Sequence, residues 1–168
     1  WMLSIRNDPE TILNSFSRQG VNAESHKIWF KEKLSSDKTK ILIGKTVSDN
    51  SRIGMVRFDF KTDDFCEVSI NLASRWRGKG LSSKFLQKAI REVSKKIDVA
   101  FIAQVKSENL KSQRCFEKSG FAKYDILADR IIYVNKQILI NKIETVRSRN
   151  NVNWMNLMRL AFKSAPKE

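Results

Sequence analysis

This chain is short of the materials that small scaffolds use in place of a core. Its two cysteines, Cys66 and Cys115, stand in separate segments without CxxC or Cys/His spacing, so neither a disulfide framework nor a structural zinc site is supported. A reducing, cytoplasmic setting is the expectation. Two prolines and six glycines leave no flexible linker, low-complexity tract or repeat. No apolar run approaches the roughly 20 residues that cross a bilayer, and no basic region followed by an apolar stretch opens the chain. Acid is scarce: 18 Asp and Glu face 32 Lys and Arg, a net charge of +14 that favours a partner or substrate bearing phosphate or another anion. What is present is sufficient for a core, since 41% of the 168 residues are hydrophobic and 10% aromatic.

The periodicity changes along the chain. Asp8 precedes Pro9 and can cap a helix running through Ile12, Leu13 and Phe16, closed by Gly20. A second helix is expected over Ala23 to Leu34, with Ile28, Trp29 and Leu34 inward and Lys27, Lys31 and Lys33 in water. Ile41 to Val47, Ile53 to Phe60 and Cys66 to Ala73 then read as an antiparallel meander separated by turn formers. Leu81 to Val93 is an amphipathic helix presenting Leu81, Phe85, Leu86, Ala89, Ile90 and Val93 on one face. A strand over Val99 to Val105, a helix over Leu110 to Lys118 closed by Gly120, and a hairpin over Phe121 to Leu127 and Arg130 to Val134 complete a domain over residues 1–135. Residues 136–168 read as a C-terminal extension of two short helices split at Asn150-Asn151, packed on the domain or docking a partner or a second copy.

One stretch carries chemistry. Ser69 to Ala73 runs as a strand into Ser74-Arg75-Trp76-Arg77-Gly78-Lys79-Gly80, and the amphipathic helix starts at Leu81-Ser82. Main-chain N–H groups at a helix start have no partner inside the helix, and Gly78 and Gly80 remove the side chains that would hold an anion away. Eight basic residues and one acid lie between Arg75 and Lys96, which suits a pyrophosphate. The spacing is neither a Walker A loop nor a dinucleotide fingerprint, so triphosphate hydrolysis is disfavoured.

A second block, Asn109-Leu110-Lys111-Ser112 with Phe116-Glu117-Lys118-Ser119-Gly120-Phe121, follows the next strand. Together the two blocks, within residues 41–127, resemble the Gcn5-related N-acetyltransferase (GNAT) family. Its R/Q-x-x-G-x-G/A turn is matched by Arg75 to Gly80, and its N-x-x-S/A and Y/F-E-K-x-G-F pattern by Asn109 to Phe121. The resemblance implies an α/β (α+β) fold with a mixed, mostly antiparallel sheet, splayed central strands and flanking helices. It implies acetyl-CoA as cosubstrate, no metal, and direct attack of a primary amine on the thioester. Main-chain groups near Leu72 would pair with the pantetheine arm, amides of Arg77, Gly78, Lys79, Gly80, Leu81 and Ser82 would bind the pyrophosphate, and Asn109 with Ser112 would contact the cofactor from the other side.

The pattern departs from the family at Phe116, where many members carry a tyrosine that protonates the leaving thiolate. Tyr124 and Tyr133 are the candidates to replace it, or the thiolate leaves unassisted, since a thiol of pKa about 8.5 is a fair leaving group. Glu67, on the central strand, is the candidate base; the alternative is an ion pair with a basic neighbour. His26 reads as surface or substrate pocket, Asp59 and Asp64 as solvated carboxylates, and Cys115 as a small buried hydrophobe.

Arg6-Asn7-Asp8-Pro9-Glu10 and His26-Lys27-Ile28-Trp29 resemble the branch that acetylates nucleotide-linked amino sugars in pseudaminic and related nonulosonic acid pathways. That resemblance implies substrate contacts from Arg6, Asn7, His26 and Trp29. Relatives begin with a strand before the first helix, so a strand missing here or supplied by an upstream domain is expected from the start at Trp1. The alternatives are a protein acetyltransferase of the ribosomal type and a non-catalytic, basic RNA-binding module. Against the latter, the basic residues gather on one turn and helix, and no RNA motif is present.

Overall fold

Asp8 acts as its place ahead of Pro9 suggests: its carboxylate accepts from the main-chain N–H groups of Glu10 and Thr11 and starts a helix whose first residue is Pro9. The computed structural model describes residues 1–135, 147–152 and 155–156. A short helix α1 (Met2–Arg6) precedes α2 (Pro9–Asn14), and α3 (Ala23–Ser35) follows. The expected first helix is therefore shorter than read, because it stops at Asn14 and leaves Phe16 in a loop.

Three strands come next, β1 (Thr39–Lys45), β2 (Arg52–Phe60) and β3 (Phe65–Leu72), paired antiparallel in sequence order. Helix α4 (Leu81–Ser94), strand β4 (Ala100–Lys106), helix α5 (Leu110–Lys118) and the hairpin β5 (Phe121–Ile126) and β6 (Arg130–Asn135) complete the described elements. The sheet order is β1-β2-β3-β4-β6-β5, mixed and mostly antiparallel, with one parallel seam between β3 and β4.

That seam positions everything else. Strands β3 and β4 pair only at Phe65 with Ala100, Cys66 with Phe101 and Glu67 with Ile102. Beyond Glu67 they have no ladder between them. Because Ala73 donates its N–H to Ile53 of β2, alternation along the strand turns the main chain of Leu72, Ile70 and Val68 toward the opening. Splayed central strands are thus present, as the sequence led us to expect.

Alternation also sorts the side chains into two faces. On one, Val56, Phe58, Cys66, Val68, Phe101, Ala103, Val105, Ile131 and Tyr133 pack under Leu86, Ala89, Ile90 and Val93 of α4 and Cys115 and Phe116 of α5. The edge-to-face pair of Phe58 and Phe101, with centroids 5.7 Å apart, ties β2 to β4 and adds about 0.5–1.5 kcal/mol to the burial of the two rings. Helix α4 also approaches β1 closely: a Cβ on Gly44 would lie 2.7 Å from the Phe85 ring. Cys66 and Cys115 are both buried here, and loss of hydration pushes the Cys66 thiol up to about 12.

The other face is polar and is covered by α1 to α3. Two sequence expectations are corrected there. Ile28 and Leu34 of α3 are exposed, whereas His26 is buried and Trp29, Phe30 and Lys33 are half-buried. Asp59 is not solvated: it is buried and binds Lys33 Nζ at 2.9 Å and Arg57 Nε at 2.7 Å. Burial opposes its charge, but the hydrogen bond from Lys33, the Arg57 guanidinium and Thr39 hold its pKa below the ordinary carboxylate value. A helix pattern read alone assigns Lys33 to water, since the buried acid that recruits it lies 26 positions away.

His26 stacks on Phe30 and tilts against Trp29. Burial, followed by the Arg6 charge, lowers its pKa below 6.5. The unfolded chain therefore binds the proton more readily than the folded one. The stability this neutral imidazole contributes is complete above pH 6.5 and is lost as pH falls through the lowered folded value. Replacing it with glutamine is expected to flatten the stability profile below pH 6.5 by up to one proton, about 1.4 kcal/mol per pH unit at most. Urea unfolding at several pH values measures this, and an unchanged slope in the variant removes His26 as the cause.

Among the described residues no helix is long and apolar enough to cross a membrane. Residues 147–152 are helical straight through Asn150-Asn151, so the expected break is not at that point. Residues 155–156 are helical as well, and the rest of the expected extension, Trp154 included, lies outside the described residues.

Candidate active site

The sequence around the turn explains its shape. After β3 a single 3-10 turn, Ser74–Trp76, lifts the chain off the sheet, and Gly78 and Gly80 then take φ of +73° and +69°. Both lie in the left-handed region that side chains resist. Gly80 caps α4 without any side-chain hydrogen bond. The main-chain N–H groups of Gly78, Lys79, Gly80, Leu81, Ser82 and Ser83 have no acceptor among the described residues. A Cβ added to Gly78 or Gly80 would meet nothing within 4 Å, so the space beside both glycines is open.

Arg77 is different, and this is a correction. Its N–H already donates to the Ser74 carbonyl at 3.1 Å, so the free amides run from Gly78 to Ser83. The R/Q-x-x-G-x-G/A pattern then fits the geometry better two residues later, as Arg77-Gly78-Lys79-Gly80-Leu81-Ser82, with serine in the last small position. The Arg77 side chain turns away from the anion cradle. Its Nε donates to the Leu72 carbonyl at 3.0 Å and takes one of its two lone pairs, while the main chain of Val68 and Ile70 and the Leu72 N–H face the opening. Lys79 leans its ammonium on the Trp76 ring, 5.0 Å from the centroid, and Arg75 lies over the same ring. Trp76, which with Trp29 and Phe58 the sequence offers as a ring to stack on a base or sugar, has its indole Nε1 buried with no partner among the described residues.

Across the opening, Asn109 caps α5: its Oδ1 accepts the Ser112 N–H at 3.1 Å. The Ser112 amide is consumed in that bond, and Asn109 Nδ2 keeps no protein acceptor among the described residues. A thioester carrier with a diphosphate fits these groups: six free amides around open space, unpaired strand groups toward the seam, and an amide donor opposite.

Glu67 sits on the last rung of the seam, at the apex of the opening, on the polar face. Its carboxylate is 3.1 Å from Lys61 Nζ and partly exposed. The basic neighbour that sequence reading allowed for is therefore Lys61. The two tyrosines are not brought to this apex. Tyr124 is exposed at the bulge of edge strand β5. Tyr133 is fully buried on the helix face, stacked on Phe116, with its hydroxyl donating to Glu117 Oε1 at 3.1 Å. Burial and then Glu117 push its pKa up to about 12.

The proposed substrate contacts are largely committed within the protein. Asn7 spends its Oδ1 and Nδ2 on the N–H and carbonyl of Val21, and Arg6 Nη2 donates to Ser17 Oγ and Gln19 O. Both thereby hold the loop after α2. His26 is buried against Trp29 and Phe30, and Trp29 keeps a half-exposed ring, with the Arg57 guanidinium 5.5 Å from its centroid. A cavity of about 330 Å³ opens instead at the end of β4, lined by Phe16, Arg18, Lys106, Ser107, Glu108, Ala128 and Asp129.

A seam that opens beside an amide-lined, glycine-containing turn defines an acyltransferase that draws its acyl group from a phosphate-bearing thioester carrier. Residues 1–122 match the family model described as the acetyltransferase (GNAT) domain, and the chain belongs to that family. It is an acetyl-CoA-dependent N-acetyltransferase, moving acetyl to amines. Its fold is similar to spermidine N-acetyltransferase from Vibrio cholerae in complex with CoA and spermine, with a TM-score of 0.70 at 14% identity over 82% of this chain and 89% of that one. It is also similar to Campylobacter jejuni N-acetyltransferase PseH, with a TM-score of 0.57 at 22% identity over 68% and 79%. AAC(6')-Ib in complex with ribostamycin and coenzyme A gives 0.67 at 15% over 82% and 87%. No curated protein sequence matches the chain significantly.

Proposed function

We propose that the chain acetylates the primary amine of a nucleotide-linked amino sugar, with Glu67 as base and the amides of Gly78 to Ser83 holding the diphosphate of acetyl-CoA. The neutral amine attacks the thioester carbonyl carbon and the C–N bond forms. The C–S bond then breaks with the electron pair on sulfur, and the ammonium proton passes to Glu67 through water. No tyrosine is assigned to the thiolate, which leaves unassisted.

The observation that carries the acceptor class is the pairing of charge around the opening. Asp8 and Glu10 are bound by Arg77, Asp59 by Lys33 and Arg57, Glu67 by Lys61, Glu108 by Arg18, and Asp129 by Arg130. A polyamine would meet a resident cation already beside each of these carboxylates and be repelled by it. A hydroxyl-rich sugar with an anionic tail is not repelled. Phe16 gives the cavity an aromatic wall, and the spare lone pairs of Glu108 and Asp129 suit hydroxyl donors.

The test is release of free thiol from acetyl-CoA with UDP-linked amino sugars, spermidine and short peptides as acceptors. The expected result is a kcat/KM for one of the sugar nucleotides at least about 100-fold above spermidine, near 2.7 kcal/mol of discrimination. Preference for spermidine or for a peptide N-terminus overturns the reading. By the same reasoning we assign the acetyltransferase domain to residues 1–135 and treat 136–168 as its extension.

A further inference from the structure

Helix α2 crosses the polar side of the opening and is fastened to both banks. On the β3 bank Thr11 Oγ1 donates to Asn71 Oδ1 at 3.2 Å; on the β4 bank Lys106 Nζ donates to the Leu13 carbonyl at 3.1 Å and Lys111 Nζ to Glu10 Oε1 at 2.6 Å. Through Arg77 it is also fastened to the diphosphate turn itself. Arg77 Nη1 donates to Asp8 Oδ1 at 2.5 Å and to Glu10 Oε2 at 3.2 Å, and Nη2 to Thr11 Oγ1 at 2.9 Å. The Arg77 hydrogen bond holds Asp8 below the ordinary carboxylate value. One guanidinium therefore spans three residues of α2 and its cap while its Nε grips the end of β3.

Resting on the reading that the turn takes the acyl carrier's diphosphate, we propose that Arg77 is a positioning residue. It transmits occupancy of the turn to α2, so that the bound carrier stiffens the wall against which the acceptor docks. The physical link is short. Gly78 and Gly80 leave the turn loose until an anion takes its six free amides, and Arg77 is the residue immediately before them. Fixing the turn fixes the root of the guanidinium, and its planar fork carries that order to Asp8, Glu10 and Thr11. A lysine keeps the charge but offers a single point of attachment, so it breaks the link without emptying the site of positive charge. Cofactor and acceptor are then coupled through a geometry that neither ligand makes by itself.

Hydrogen exchange with coenzyme A as the probe tests this. In the wild-type chain saturating coenzyme A is expected to slow exchange at Gly80–Ser83 and also, by about 10-fold, at Ile12–Asn14. In Arg77→Lys the slowing at Gly80–Ser83 persists while that at Ile12–Asn14 falls to about 2-fold or less. Should Arg77→Lys not fold, the triple variant Asp8→Ser, Glu10→Ala, Thr11→Val, whose serine can still cap the helix, cuts the same link from α2 and is expected to behave alike. A merely structural Arg77 would raise exchange in α2 with and without coenzyme A and leave the ratio intact. That result overturns the proposal, as does a wild-type chain whose turn is protected while α2 is not. If coenzyme A leaves Gly80–Ser83 unprotected, the diphosphate reading itself fails and the coupling falls with it.

Discussion

Gly78→Leu is expected to lower coenzyme A affinity by at least about 100-fold, or about 2.7 kcal/mol, while leaving the chain folded. The two effects separate because they have different causes. In the protein without ligand a Cβ at this position meets no atom within 4 Å, and the cost that the turn itself imposes is a left-handed φ of +73°. That strain is worth about 1–2 kcal/mol, or roughly 2–8 °C of melting temperature for a chain of this size. With ligand, the same side chain stands beside the free amides and crowds the diphosphate they are proposed to hold. Calorimetric titration with coenzyme A, set beside thermal melting without it, measures both. Affinity that survives the leucine places the diphosphate elsewhere; affinity lost only in step with folding makes the glycine a structural residue.

Glu67→Gln is expected to reduce kcat by roughly 10²- to 10⁴-fold, the range for loss of a positioned acid or base, with the KM for acetyl-CoA changed by less than about 3-fold. Glutamine keeps the size and the strand but cannot take the ammonium proton. The Lys61 partner supplies the control. Lys61 is more than half exposed, and an ion pair of that kind stabilises by only about 0–1 kcal/mol, so Lys61→Met is expected to fold normally and retain most activity. If Glu67 served only that ion pair, the two variants would behave alike and both would turn over. Steady-state kinetics of the two, with the best acceptor from the panel, decides between base and surface pair.

Much of the fold is legible where local pattern and tertiary packing agree. Leu86, Ala89, Ile90 and Val93 are buried on α4 as their spacing requires, α5 has the bounds read for it, and the six strands fall within two residues of those expected. Legibility fails where a distant residue decides. Lys33 looks like a solvated lysine until Asp59 is buried against it. Arg77 looks like one more cation in an anion turn until α2 delivers Asp8, Glu10 and Thr11 to its fork.

The Arg6-Asn7-Asp8-Pro9-Glu10 segment makes the same point about function. As a pattern it points to substrate, yet Asn7 fastens a loop, Asp8 caps a helix, and Asp8 with Glu10 receives a guanidinium. Motifs record which side chains must stay, not which of them meet the ligand. Glycines are more transparent because their requirement is local: a left-handed φ facing open space is a property of the turn alone. The splay was expected from resemblance, and nothing in the residues of β3 says that pairing ends at Glu67. Strand register is a property of two strands and cannot be written in one.

A sheet stitched across its middle by three rungs is in effect two leaves sharing a short spine. Each leaf is well laced within itself, β1 to β3 on one side and β4 to β6 on the other, so loss of order under denaturant or load should begin as a tear along the spine rather than as fraying from the rim. An extended guest molecule lying in the gap with its own amides aligned would act as the absent seventh filament of the weave.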